Sequence, residues 1–560
     1  MAALSLAFVL LVPQAGRADD RDGQRDALPF AKSYTITGNY VVGGVDLGPQ
    51  PGGNGLATGT ISMSGVPANA DVLAAFLYWE TISTQTSQVN GATFRGFPIT
   101  VVKATSATLD GDNAGCWLPG TGPRPTLTMF RADVLRFLPL QRDSKGVTTG
   151  RSLVNDSDLA STEKLTVTLP QAAAGSGVPQ TAGATLLVIY RDPTQPLTSI
   201  VLYEGARVQK PGETITQTLR GFLQSSTSKS AKLTHIVGSG TPNATERLWF
   251  NGAQIATDPF HAAGNTSSDR GWSNPTFNVT PQMPGRDPGL GYGEEVTTSV
   301  DYRTPTPSSC LAWNAIVFST AVQDTDGDGL VDLLESRSGL KEPDGHHLPD
   351  IHAMGADPLH KDLFIEIGAM KADPGTGYGS AAAPFNATTP RMVDADGHNH
   401  MPSPAVLKMV GDAYDQSPVT NPDGRTGVRA HFDVGPFYHF LGTPYRSTDA
   451  DRYLVNPFLA RGGESLKEVA CVPSATLTCQ FPDYPGTLSW KIGFQLVRDA
   501  IVGPFGEQLT KAERDLWDRL HQHDPNRDRD FRAFHCDAYS NQDDPDIPDN
   551  DDCRFRFVKN

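Results

Sequence analysis

The segment DVLAAFLYWETI, at residues 71–82, is a nearly continuous apolar run that includes Tyr78 and Trp79. Such a run is typical of a buried strand, and both aromatic residues are predicted to belong to the core. β-type patterns recur on either side of it, in SYTITGNYVVGGVDL (33–47), GLATGTISMSGVP (55–67), ATLLVIYRD (184–192), SIVLYEGARV (199–208) and CLAWNAIVFSTAV (310–322). Because Gly, Pro and Asn separate these short strands, residues 33–322 are predicted to form a mainly β region of antiparallel sandwich or jelly-roll type. The region divides into two possible halves, at about 33–186 and 187–322.

The overall composition excludes some classes of protein. The chain has 560 residues and a formal net charge of −16, with 46 Lys and Arg against 62 Asp and Glu. Nucleic-acid binding needs basic surface that displaces phosphate counterions, so no nucleic-acid partner is expected. After the N-terminus, no segment approaches the roughly 18 continuous apolar residues of a membrane-spanning helix, so no membrane span is expected.

The N-terminal residues and the cysteines favour export. An apolar run at residues 2–12 precedes Gly16 and Ala18, so residues 1–18 are predicted to be a signal peptide, followed by a linker at 19–32. A buried N-terminal strand is the alternative. The six cysteines favour disulfides in a secreted or cell-surface protein, with Cys471 paired to Cys479 and Cys536 to Cys553, although fifteen connectivities exist. A four-cysteine zinc site is the competing interpretation, but no C-x2-C pair supports it.

The sharpest local motif is DTDGDGLVDLLE at residues 324–335, which fits the calcium-loop pattern D-x-[DN]-x-[DN]-G-x5-E. A hard cation takes six to eight oxygen ligands, which alternate carboxylates supply while Gly329 permits the turn. The predicted calcium ligands are Asp324, Asp326, Asp328, Asp332 and Glu335. Because the residues before the loop are β-like, residues 323–358 are predicted to be a calcium-stiffened linker rather than an EF-hand. A solvated acidic linker is the alternative.

Two further acidic stretches are weaker candidates for metal binding. One has potential ligands at every second position of an extended loop, namely Asp394, Asp396, His398 and His400. The other mimics the calcium spacing without the turn glycine, at Asp524, Asn526, Asp528 and Asp530. A polar loop without an ion is the alternative for each.

Residues 359–560 change character, because strand-like and helix-like patterns alternate there. The segment KDLFIEIGAM (361–370) predicts a strand, with Asp362 and Glu366 as charges at its rim. A buried carboxylate pair is the alternative. The segment SPAVLKMVGDAYDQ (403–416) predicts a helix capped by Ser403, and residues 510–524 predict an amphipathic helix. This alternation implies a separate C-terminal α/β or α+β domain.

Three segments in this order, DTDGDGLVDLLE, LPDIHAMGADPLHKDLFIEIGAM (348–370) and NPDGRTGVRAHFDVG (421–435), resemble secreted bacterial zinc metallopeptidase-like proteins. Those proteins carry a thrombospondin type 3-like calcium linker before a zincin-type domain. The resemblance implies that residues 359–560 form a partial metallopeptidase-like domain. None of the 13 histidines is followed by Glu, so the zinc-binding motif H-E-x-x-H is absent. We therefore assign no catalytic residues and expect zinc only if a missing catalytic segment is supplied.

Two functions follow from these patterns. The first is a secreted calcium-binding multidomain protein that is related to zinc metallopeptidases and lacks proteolytic activity as given. The second is an extracellular surface or adhesion protein, in which a β-sandwich binds a glycan or a protein and calcium stabilises a spacer. Either function implies an extracellular protein or glycan as the partner, which the sequence does not identify.

Overall fold

The computed structural model describes residues 27–467 with gaps, of which the longest are 109–124, 261–270 and 379–391. The predicted signal peptide, the predicted helix at 510–524 and the Asp524, Asn526, Asp528 and Asp530 set lie outside the described residues. So do Cys471, Cys479, Cys536 and Cys553. The buried Cys310 is disulfide-bonded. No helix in the described part of the chain is long and apolar enough to cross a membrane.

The β region contains strands throughout its length, as predicted, and the first strand begins at Phe30 within the predicted linker 19–32. The strands are β1 (Phe30–Asp46), β2 (Leu56–Ile61), β3 (Asp71–Ser83), β4 (Thr93–Phe94), β5 (Phe97–Pro98), β6 (Val101–Thr108), β7 (Thr126–Asp133), β8 (Leu140–Arg142), β9 (Thr148–Ser152), β10 (Leu165–Pro170), β11 (Gly183–Arg191), β12 (Leu197–Gln209), β13 (Thr214–Arg220), β14 (Ala231–Gly238), β15 (Glu246–Phe250), β16 (Ala253–Thr257), β17 (Thr276–Asn278), β18 (Arg286–Asp287), β19 (Gly291–Tyr292), β20 (Glu295–Tyr302) and β21 (Leu311–Ala321).

Two inner sheets are joined through one long strand, β1. Among the described residues, the two sheets together make a continuous hydrogen-bonded series of nine strands in the order β17-β14-β21-β12-β1-β11-β3-β7-β6. The first half of β1 pairs with β12 as far as Thr37, and the second half pairs with β11 from Gly38 onward. A Cβ atom at Gly38 would lie 2.1 Å from the carbonyl oxygen of Tyr190, so the crossover between the two halves requires glycine.

The two halves of this sheet face each other, and a smaller sheet covers the outer side of each. Phe76 and Tyr78 of β3 pack with Leu202 of β12 between the halves. The neighbouring residues Leu77 and Trp79 point the other way, into a core closed by the outer sheet β2-β10-β4-β5. The outer sheet β13-β20-β15-β16 closes a third core on the far side. The region is therefore a four-layer β-sandwich, and the middle of β3 is continuously apolar from Val72 to Trp79 because both of its faces are buried.

The linker docks on the sandwich and contains the short helix α1 (Asp332–Ser336). Val331, just before α1, packs with Leu197 and Val322 at the end of the sandwich. Farther along the linker, Glu342 accepts a hydrogen bond of 2.5 Å from the hydroxyl of Ser33. Two contacts thus fix the linker to the β region.

The described part of the chain after residue 360, here called the C-terminal unit, combines a helix with short strands. The strands are β22 (Asp362–Glu366), β23 (Ala369–Ala372), β24 (Thr376–Tyr378), β25 (Met392–Asp394), β26 (His398–Asn399), β27 (Arg429–Asp433), β28 (His439–Phe440), β29 (Thr443–Pro444) and β30 (Ser465–Lys467). Parallel strands β22 and β27 flank α2 (Pro404–Asp415) in sequence, which makes a βαβ arrangement. The predicted helix is confirmed, and the hydroxyl of Ser403 accepts the Val406 amide as predicted for its cap.

Candidate metal centre

The acidic loop at the start of the linker is held in shape by its own carboxylates. Asp324 accepts hydrogen bonds from the amides of Gly327 and Gly329, at 2.7 and 3.1 Å. Both glycines have positive φ values, 76° and 95°, which only glycine adopts without strain. Asp328 accepts the Leu330 amide at 2.7 Å. The sequence pattern therefore folds into a turn that aims alternate carboxylates toward a common region.

Five carboxylates gather there in two overlapping groups. The loop group consists of Asp324, Asp326 and Asp328, and the joint group consists of Asp328, Glu335 and Asp362. Within each group, one potential ligand oxygen from every residue lies within 4.8 Å of the others. Carboxylate oxygens at this density are the donors that calcium uses in proteins.

Glu335 is the residue that most clearly lacks a partner. It is only 1% exposed, and neither carboxylate oxygen has a hydrogen-bond partner. Burial, reinforced by the charges of Asp328 and Asp326, raises the pKa of Glu335 to about 9. Burial and the neighbouring Asp328 likewise raise the pKa of Asp326 to about 7. The charge of Lys361 lowers the pKa of Asp326 but does not offset burial and the neighbouring carboxylates, so a bound cation would relieve the remaining repulsion.

The structure places Asp332 outside both groups, although the motif made it a predicted ligand. One oxygen of Asp332 accepts the Thr325 amide at 2.7 Å, and the other accepts the Thr325 hydroxyl at 2.6 Å. These bonds tie the start of α1 to the start of the loop. Asp332 therefore shapes the loop and does not join the cluster of carboxylates.

Asp362 is the member of the centre that the sequence analysis missed. Its amide donates to Asp328 at 2.7 Å, and its carboxylate accepts the Asp357 amide at 2.7 Å. The ring Nε2 of His431 lies 2.6 Å from the other carboxylate oxygen. The side chain of Asp362 is fully buried, so the interpretation of this residue as a charge at the strand rim is wrong. The alternative of a buried carboxylate holds for Asp362 but not for Glu366, which is exposed. The signal available in the sequence was an Asp at the start of an apolar strand. Its contact with Asp328 could not be inferred, because the two residues are 34 positions apart.

The second predicted ligand set is only partly brought together. In the exposed residues after Asp396, the Nε2 atoms of His398 and His400 lie 3.2 Å apart. Asp394 is the last residue of β25, and its side chain lies outside the described part of the structure. Asp396 does not complete a group of three ligand atoms with the two histidines among the described residues.

The fold and these carboxylates define a β-sandwich protein with a candidate cation centre at the end of the sandwich. A family described as "Protein of unknown function (DUF3344)" matches residues 23–304, and the chain belongs to this family. The match covers strands β1 to β20 of the four-layer β region and ends before β21 and the acidic loop. A comparison with curated proteins finds no match.

Solved structures resemble the chain only distantly. BuGH86 in complex with neoagarooctaose is 10% identical with a TM-score of 0.15, and the match covers 52% of this chain and 33% of that one. The ANX2 ectodomain from Arabidopsis thaliana is 9% identical with a TM-score of 0.15, over 52% of this chain and 90% of that one. The BSP domain of a biofilm-associated protein is 11% identical with a TM-score of 0.14, over 62% and 68%. The matched region thus spans about a third of BuGH86.

Proposed function

We propose that this is an exported calcium-binding protein, in which the ion fixes the linker between the four-layer sandwich and the C-terminal unit. The observation that carries the proposal is Glu335, a buried carboxylate with two oxygens that nothing in the described chain satisfies. An ionised carboxylate is costly to bury unless it is paired or coordinates a metal. Calcium fits because every donor here is a carboxylate oxygen, and because its coordination number and geometry are flexible.

A structural role for the ion follows from what the linker contacts. On one side Val331 packs on the sandwich, and on the other side Asp362 begins the first strand of the C-terminal unit. The carboxylates lie between these two attachments. An ion at this place would hold together segments that are far apart in sequence, as in calcium-stiffened domain connections.

The remaining parts of the proposal concern the two flanking units. The sandwich would provide the surface for an extracellular protein or glycan partner. The C-terminal unit, in which β22, α2 and β27 make a βαβ arrangement, would be a metallopeptidase-like domain without proteolytic activity. Calcium would be the resident ion, and zinc-dependent proteolysis would require the H-E-x-x-H motif, which this sequence does not contain.

Removal of calcium is expected to lower the melting temperature of the full chain and to increase proteolysis between residues 323 and 358. A ligand that binds only the folded state at a hundred times its Kd stabilises that state by about 2.7 kcal/mol. The variant Glu335→Gln removes a charged ligand and is expected to weaken calcium binding at least tenfold. Thermal unfolding with and without a chelator, together with limited proteolysis, measures both effects.

The matched control is Asp332→Asn, in the same loop. Its amide oxygen can still accept from the Thr325 amide, and its NH2 group can donate to the Thr325 hydroxyl, so calcium is expected to shift the melting temperature nearly as much as in the unaltered chain. If calcium does not change the melting temperature of the unaltered chain, or if Glu335→Gln responds to calcium as fully as that chain does, the proposal is wrong.

A further inference from the structure

We propose that the joint group is a second cation position, distinct from the loop group, and that it ties the linker to the C-terminal unit through Asp362. This inference rests on the proposed calcium function. A single calcium ion with oxygens at 2.3–2.6 Å would bring all of its ligand oxygens within about 5 Å of one another. The five carboxylates instead form two groups of that size, which share only Asp328.

The joint group is already assembled by the chain itself. The side chain of Asp362 is fixed by the Asp357 amide and by His431, whose ring stacks on Phe364 with centroids 4.4 Å apart. The Asp362 amide in turn holds an oxygen of Asp328. Carboxylate oxygens have more than one lone pair, so these hydrogen bonds leave room for a metal ion.

Glu335 provides the independent sign of a ligand at this position. It belongs to the joint group and not to the loop group, and it is 1% exposed with both oxygens unpartnered. An ion bound only by the loop group would leave this buried charge uncompensated. The residue that most needs a cation therefore points to the joint group as a position in its own right.

The balance of charge also favours two ions over one. The five carboxylates carry five negative charges when ionised, and a single divalent ion neutralises two of them. Two cationic side chains share in this balance, because the charge of Lys361 acts on Asp326 and the partly exposed Arg429 guanidinium lies 3.8 Å from Asp362. Even if each cancels one charge in full, three negative charges remain, which is more than one divalent ion neutralises. Two divalent ions neutralise four of the five charges, which matters most where burial limits screening by water.

Calorimetric titration of the full chain with calcium tests this proposal. The unaltered chain is expected to bind two ions, and Asp362→Asn is expected to bind one. Glu366→Gln is the matched control, since this exposed residue at the end of the same strand lies outside both groups, and it is expected to bind two.

Asp324→Asn supplies a second test that does not depend on the folding of Asp362→Asn. It alters the loop group only, so it is expected to retain the one ion of the joint group. Binding of a single ion by the unaltered chain, or of two ions by Asp362→Asn, would overturn the second position while leaving the proposed calcium function intact. Absence of any calcium binding would overturn both.

A different observation carries a second proposal: the geometry points to His398 and His400 as a zinc-binding pair. Their Nε2 atoms are 3.2 Å apart, so one ring donates a hydrogen bond to the other, and a metal ion would replace that shared proton. Two imidazole nitrogens at 2.0–2.1 Å on one tetrahedral zinc ion lie about 3.3 Å apart, so the pair already has the separation of two ligands. Alternate residues of an extended chain point to the same side, and both side chains are exposed to an incoming ion.

Titration of the calcium-loaded full chain with zinc tests the pair. His398→Ala and His400→Ala are each expected to weaken zinc binding at least tenfold, because each removes one of two chelating nitrogens. His347→Ala is the control, an exposed histidine in the linker, and is expected to leave the affinity unchanged. Equal zinc affinity in the unaltered chain and in His400→Ala would overturn the pair, and so would a loss of affinity in His347→Ala as large as in His400→Ala.

Discussion

Replacement of Glu204 by alanine is expected to lower the free energy of unfolding by about 3 to 5 kcal/mol. Glu204 is fully buried in β12, where it accepts the Tyr78 hydroxyl at 2.8 Å. Its other oxygen lies 3.0 Å from the Lys103 ammonium and 3.5 Å from the Arg131 guanidinium. Arg131 is only 2% exposed, so the substitution leaves a buried cation without its counterion.

Urea denaturation measures this loss, and Glu213→Ala is the matched control. Glu213 also pairs with an arginine, Arg207, at 3.1 Å, but both side chains are substantially exposed. Exposed ion pairs contribute about 0 to 1 kcal/mol, so the control is expected to lose little stability. Losses of similar size in the two variants would show that Glu204 does not compensate a buried charge.

Replacement of Glu80 by glutamine is expected to remove a large pH-dependent loss of stability. Glu80 is fully buried between the inner sheets, and burial raises its pKa from 4.5 to about 8. The folded state therefore holds this proton more tightly than the unfolded state, so stability falls as pH rises from about 4.5 to about 8. At about 1.4 kcal/mol per pKa unit, the loss across this range is about 3 to 5 kcal/mol.

The amide of glutamine mimics the protonated acid, and the oxygen of Asn314 that lacks a partner can accept from it. Glu80→Gln is thus expected to match the unaltered chain at pH 5 and to exceed it by several kcal/mol at pH 9. Glu246, with a pKa raised to about 7 by burial, adds its own pH dependence to both proteins. The difference in the free energy of unfolding between the two proteins, measured by urea denaturation in saturating calcium at each pH, isolates the effect of Glu80. If this difference did not change with pH, the raised pKa of Glu80 would be contradicted.

Local patterns in the sequence predicted local structure well. The apolar run at residues 71–82 forms β3, and Ser403 caps α2, because each depends on contacts within a few residues. The four-layer arrangement was not predictable in the same way. It depends on the pairing of β1 with two strands more than 130 residues away in sequence.

In the candidate metal centre, too, the local turn was predictable from the sequence and the long-range contact was not. The turn that aims Asp324, Asp326 and Asp328 is encoded within the motif and was predicted from it. The motif could not show that Thr325 occupies Asp332, because a calcium-loop pattern assigns ligands by spacing alone. Nor could it reveal Asp362, whose contact with Asp328 depends on how the C-terminal unit folds back on the linker.

The shared strand β1 has a mechanical consequence for the sandwich. Since its first half belongs to one inner sheet and its second half to the other, the continuous backbone at Thr37 and Gly38 joins the two sheets. Neither inner sheet is therefore an independent lobe, because each contains half of β1. A cut between β11 and β12 would place β1 and β12 in different fragments, so each fragment would lack a strand with which it pairs. The region is therefore expected to resist pulling, and to unfold, as one body.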